Sequence, residues 1–144
     1  MKRKTLIGLL AAAATLAAPA AHAEEIILKV AHFWPSTALS HQKVLLPWCD
    51  KIAKESDNRL KCQIYPALQL GGTPPQLIQQ AADGVADIVW TLPGYSAGRF
   101  PSVEAFEIPF MSRKAEPTSR ALWEYVEKYG QKDFALVKPL AFHV

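Results

Sequence analysis

The residue types best suited to chemistry gather in two short runs. One is His32-Phe33-Trp34-Pro35-Ser36 and the other is Trp90-Thr91-Leu92-Pro93-Gly94-Tyr95. Both join aromatic rings to polar groups, a combination that holds a small solute by ring contact and a few hydrogen bonds. Covalent chemistry is less well served. His32 could act as a general base, with Ser36 or Ser40 as nucleophile in a hydrolase, but both serines stand where a helix begins and serve as caps there. His32 and His41 lack a third metal ligand at ordinary spacing. The chain has no G-x-S-x-G elbow, phosphate loop, H-E-x-x-H or G-x-G-x-x-G run, so neither a metal nor a cofactor is indicated. Asp83, Asp87, Glu104 and Glu107 form no obvious acid/base pair. Arg59 precedes a strand and reads as structural. Arg99 is the better anion partner, although fixing its own loop is the simpler role.

These runs must be positioned by a regular framework. Ile26 to His32 is β-branched and apolar, and reads as a first strand. A helix follows from about Leu39 to Ser56, with Pro47 forcing a kink or a restart. Its apolar face centres on His41, Leu45, Trp48 and Ile52. Leu60 to Tyr65 is a second strand. Thr73-Pro74-Pro75-Gln76 carries the signals of a helix start, with Gln76 placed to complete a capping box. That helix ends at Asp83-Gly84, and Val85 to Trp90 is a third strand. An irregular stretch leads to a helix over Glu116 to Tyr129, with Leu122, Tyr125, Val126 and Tyr129 on one face. Leu136 to Val144 reads as a further strand. The β-α-β-α-β order predicts a parallel sheet with right-handed crossovers. In such sheets a ligand sits beyond the carboxyl ends of the strands, where the strand order reverses. With the first strand in the middle, that place is lined by the two aromatic runs. Phe33, Trp34, Trp90, Thr91 and Tyr95 are therefore the expected substrate-binding residues. The rings alone would equally cap the ends of the sheet as core.

Residues 1–23 have the build of a cleaved secretory signal: Lys2-Arg3-Lys4, an uncharged apolar stretch from Leu6 to Ala18, and Ala21-His22-Ala23 as the cleavage site. This run is too short for a membrane-spanning helix, which needs roughly 18–20 apolar residues. The signal holds three of the 16 Lys and Arg and none of the 13 Asp and Glu, so the remainder carries 13 of each. The net charge of +3 belongs to export, and no basic patch points to nucleic acid. Export permits a disulfide between Cys49 and Cys62, the only cysteines. Cys49 falls at the edge of the expected helix face and Cys62 points inward from its strand. Two separate small core residues are the favoured reading, and a disulfide stays open.

In order and spacing, several runs resemble the solute-binding subunits of tripartite ATP-independent periplasmic (TRAP) transporters, of the dicarboxylate-binding type. They are Val30-Ala31-His32 with Pro35, Ile64-Tyr65-Pro66 to Leu70-Gly71-Gly72, Asp83-Gly84-Val85-Ala86-Asp87-Ile88, Leu92-Pro93-Gly94-Tyr95 with Gly98-Arg99-Phe100-Pro101, and Ile108-Pro109-Phe110-Met111. The resemblance implies a periplasmic-binding-protein-like α/β fold of two lobes, a cleft between them, and delivery of a small organic acid to membrane permease subunits. It implies no catalysis and a periplasmic location. Residues 24–135 would then be the first lobe, and 136–144 the start of a crossover strand toward a second lobe. The arginine that usually pairs with the substrate carboxylate lies in the family's second lobe, and nothing in this chain matches it. A truncated remnant that binds nothing is the alternative this leaves.

Overall fold

The computed structural model describes residues 24–144. The expected signal over 1–23 lies outside them. Three parallel strands form the sheet: β1 (Ile26–His32), β2 (Leu60–Tyr65) and β3 (Ile88–Trp90), in the order β2-β1-β3. Ile26 pairs with Leu60 and Ala31 with Tyr65 on one side, and Val30 pairs with Ile88 and His32 with Trp90 on the other. β1 is thus central, and it is the strand whose inner residues Val30, Ala31 and His32 are buried. β3 is shorter than expected. Val85 and Ala86 turn their N–H groups back to the Gln80 carbonyl; Asp87 is the first residue to reach β1, donating to the Lys29 carbonyl, and the ladder proper runs from Ile88.

The first crossover is not one uniform helix. A π-wound segment, Ser40–Leu45, leads directly into α1 (Leu46–Glu55), and Pro47, which has no N–H to give, sits at the change of winding in the first turn of α1. The wider winding takes more residues per turn and rotates the inward face. His41, Leu45 and Cys49 are buried, while Trp48 and Ile52 are only half-buried. Cys49 is thereby brought from the edge of the face to its centre, where it forms a disulfide with Cys62 of β2, with the Cα atoms 5.7 Å apart. The favoured reading of two separate cysteines is corrected by this turn.

The second crossover starts with a 3-10 turn, Pro74–Gln76, followed by α2 (Leu77–Ala82). Gln76 Oε1 accepts from the Thr73 N–H at 2.8 Å, as the capping-box spacing predicts. After β3 come α3 (Pro101–Glu104) and α4 (Ala115–Tyr129). Leu122 and Val126 of α4 are buried with Ile78, Phe100, Val103 and Phe134, while Tyr125 and Tyr129 stay exposed. A second cluster, Ala31, Leu77 and Ala86, covers the α2 face of the sheet.

Leu136–Val144 is not a strand. A strand needs a ladder partner, and this segment instead follows α4: the Val144 N–H donates to Ser119 Oγ at 3.1 Å, and Phe142 meets Trp123 at 5.9 Å between ring centroids. Pro139, with no N–H to give, weakens any ladder further.

Candidate functional site

The loops after β1 and β3 leave the sheet side by side, because the two strands are hydrogen-bonded neighbours ending at the paired residues His32 and Trp90. Four of the five expected binding residues meet there. Phe33 and Trp34 lie 4.1 Å apart between ring centroids, Trp34 meets Trp90 edge-on at 4.8 Å, and Phe33 meets Tyr95 edge-on at 5.4 Å. Edge-on pairs of this kind are worth about 0.5–1.5 kcal/mol each beyond the area they bury. Phe33 also packs against the Ala31–Leu77–Ala86 cluster, so part of its role is core. Tyr95 is 42% exposed, enough to offer a face to a solute.

Thr91 does something else. Its hydroxyl donates to the Pro74 carbonyl at 3.2 Å, and Ser96 donates to the Pro75 carbonyl at 3.3 Å. The hydroxyl proton expected to serve a ligand is committed to the main chain, and Thr91 fixes the loop instead. Two carboxylates complete that fixation. Glu107 accepts from the Gly94 N–H at 2.9 Å, and Glu104 accepts from the Gly98 N–H. A Cβ at Gly94 would stand 1.9 Å from Glu107 Oε2, so glycine is what lets the carboxylate close on the loop that carries Tyr95. Glu104 and Glu107 are thus clamps and not an acid/base pair. Arg99 donates to Gln79 at 3.4 Å and lies over Phe100, which is the loop-fixing role.

The loop after β2 secures the first run. Ala67 donates to the Trp34 carbonyl at 2.8 Å and Leu68 donates to the His32 carbonyl at 3.1 Å. Ala67 and Leu68 hold left-handed backbone conformations to do so, with φ of 50° and 59°. Such residues cost roughly 1–2 kcal/mol each, and the two bonds to the site loop offset that cost.

Beneath Trp34, the fully buried His32 joins its Nε2 to His41 Nδ1 at 2.8 Å. One ring donates and the other accepts, so the facing nitrogens satisfy each other. No serine hydroxyl bonds either imidazole among the described residues, so the hydrolase pairing with Ser36 or Ser40 is not assembled. Among the described residues no three His, Cys, Asp or Glu side chains come together as metal ligands. Burial holds His32 below the ordinary histidine value of 6.5, and His41 adds to this. The Trp34 main chain works the other way, but outside hydrogen-bond geometry, so His32 Nδ1 remains buried without a partner.

A pH dependence follows. As pH falls below 6.5, the unfolded chain protonates its histidine first, and stability drops until the lowered folded value is reached. Above 6.5 both states are neutral at this residue and its contribution is complete. Denaturant titrations at about pH 7.5 and about pH 5.5 should show a loss of stability that is smaller in His32→Gln. Equal losses in the two proteins would refute the assignment.

Sequence reading missed His143. The Trp90 indole N–H donates to His143 Nε2 at 2.9 Å, with the rings edge-on at 5.2 Å. No motif marks this residue, and its link to Trp90 spans 53 residues of chain. Two surface concavities run along α4 and the tail, and neither is lined by any of the five expected residues.

Parallel strands with helical crossovers, and aromatic loops at the carboxyl ends where the strand order reverses, define the class: an α/β ligand-binding lobe of the periplasmic-binding-protein type. The family described as "bacterial extracellular solute-binding protein, family 7" (DctP) matches residues 30–142, and the chain belongs to it. Solved structures agree. A TRAP solute-binding protein from a marine metagenome, specific for aromatic acid ligands and bound to 3-hydroxybenzoate, is 50% identical with a TM-score of 0.81. The match covers 84% of this chain and 38% of that one. A TRAP solute-binding protein from Rhodoferax ferrireducens, with copurified benzoate, is 47% identical with a TM-score of 0.79, covering 82% of this chain and 37% of that one. One from Bordetella bronchiseptica with bound mandelate is 26% identical with a TM-score of 0.69, covering 82% and 38%. The chain therefore spans well under half the length of these relatives. They are solute-binding proteins, not enzymes. Among the described residues no helix is long and apolar enough to cross a membrane.

Proposed function

We propose that this chain supplies the first lobe of a TRAP-type binding protein that captures an aromatic carboxylic acid in the periplasm and delivers it to membrane permease subunits. The observation that carries the reading is the ring cluster at the carboxyl ends of β1 and β3. Phe33, Trp34, Trp90 and Tyr95 form one contiguous wall, and a flat aromatic solute gains from stacking on such a wall where an aliphatic acid of similar charge does not. The aromatic acids bound by the relatives from the marine metagenome and Rhodoferax ferrireducens support the same choice. Residues 1–23 serve as the export signal in this reading. Residues 136–144 lead toward the second lobe.

Tryptophan emission tests it, because two of the four tryptophans stand in the wall. Benzoate and 3-hydroxybenzoate should quench the full chain saturably, in the range of about 1 mM that a one-sided site giving about −4 kcal/mol would reach. Succinate should not. Equal responses to succinate and benzoate, or no saturable response to either, would overturn the proposal.

A further inference from the structure

The wall is apolar, and a carboxylate held against it needs a hydrogen-bond donor. Among the described residues no Lys or Arg lies over a ring of the wall, and Arg99, on the loop after β3, bonds Gln79 and covers Phe100. The wall does, however, hold one imidazole in a fixed tautomer. Trp90 Nε1 carries a proton that it can only donate, so His143 Nε2, 2.9 Å away, must accept. A neutral imidazole that accepts at Nε2 carries its proton at Nδ1. That Nδ1–H has no partner among the described residues, and His143 is exposed.

Resting on the aromatic-acid reading above, we propose that His143 is a specificity-determining residue whose Nδ1–H donates to the carboxylate of an aromatic acid seated on Trp90 and Trp34. The indole acts through His143: it presets which ring nitrogen bears the proton. A hydrogen bond to a charged acceptor is stronger than one between neutral groups, which suits a donor that must discriminate acids from uncharged aromatics. The chain thereby offers a carboxylate contact within its own lobe, from a segment with no recognisable motif.

The test compares the full chain with His143→Phe and His143→Asn, titrating benzoate and the uncharged benzyl alcohol by nuclear magnetic resonance. Phenylalanine keeps the ring contact with Trp90 and removes the donor. Asparagine returns an amide N–H close to the Nδ1 position. Benzoate affinity should fall about tenfold in His143→Phe and recover in part in His143→Asn, while benzyl alcohol binds all three alike. Equal benzoate affinity in the unaltered chain and His143→Phe would overturn the proposal, as would a parallel loss for benzyl alcohol, which marks a merely structural role. An unaltered chain that binds neither compound would instead remove the aromatic-acid reading on which the proposal stands.

Discussion

Replacing Phe100 with alanine is expected to lower unfolding stability by about 3–5 kcal/mol, the range for deleting a buried aromatic side chain. Phe100 is 1% exposed and stacks on Phe134 at 4.9 Å between ring centroids. It is the hub of the cluster that joins Ile78 of α2, Val103 of α3, and Leu122 and Val126 of α4. Ile78, Val103, Leu122 and Val126 are held by their helices and cannot collapse fully into the space, so much of the cavity would stay open. The loss should reach the site as well. Arg99 and Gly98 precede Phe100 directly, and through Gln79 and Glu104 they anchor the loop bearing Tyr95. Denaturant unfolding of Phe100→Ala beside the unaltered chain measures the first effect. A loss below about 1 kcal/mol would mean that this cluster is not the main core of the lobe.

Removing the disulfide should be nearly as costly. Cys49 and Cys62 are 13 residues apart, and closing a loop of about that size is worth roughly 3 kcal/mol through the freedom it removes from the unfolded chain. The bond ties α1 to β2 on the face of the sheet that also holds His41 and His32. Its loss frees the first crossover as a whole. The double replacement Cys49→Ala with Cys62→Ala should therefore melt several degrees lower than the oxidised chain. Reductant should lower the oxidised chain to a similar point and leave the double variant unchanged. A melting point insensitive to reductant would show that the crossover is held by its packing alone. An extracellular family is one in which such a bond persists, since no cytosolic thiol pool opposes it.

What could be read in the sequence divides along physical lines. β1 and β2 match their expected limits, because β-branched runs bounded by turn residues leave little choice. The meeting of the two aromatic loops was also legible, since parallel order with a central first strand fixes which loops lie side by side. The inward face of the first crossover was not. Helical periodicity assumes one winding, and the π-wound turn over Ser40–Leu45 shifts the face by an amount that residue types do not reveal. The disulfide was obscured for the same reason. Leu136–Val144 misled in the opposite sense: its composition suits a strand, but pairing depends on a neighbour that local sequence does not specify. His143 and the hydroxyl of Thr91 share one cause. Each has its role set by a distant partner, Trp90 in one case and the Pro74 carbonyl in the other.

The adjacency of β1 and β3 has a mechanical outcome. Trp90 ends β3 and Trp34 stands two residues beyond β1, two strands whose backbone hydrogen bonds fix their separation, and their rings meet edge-on at 4.8 Å between centroids. Such a surface behaves as an anvil: it does not spread to suit a bulkier ring. In the binding mode proposed above, a solute with an added substituent must find room at the exposed rim beside Tyr95, or on whatever surface closes over it. Selectivity against the parent ring is then a question of flatness, and selectivity among substituted rings a question of the rim.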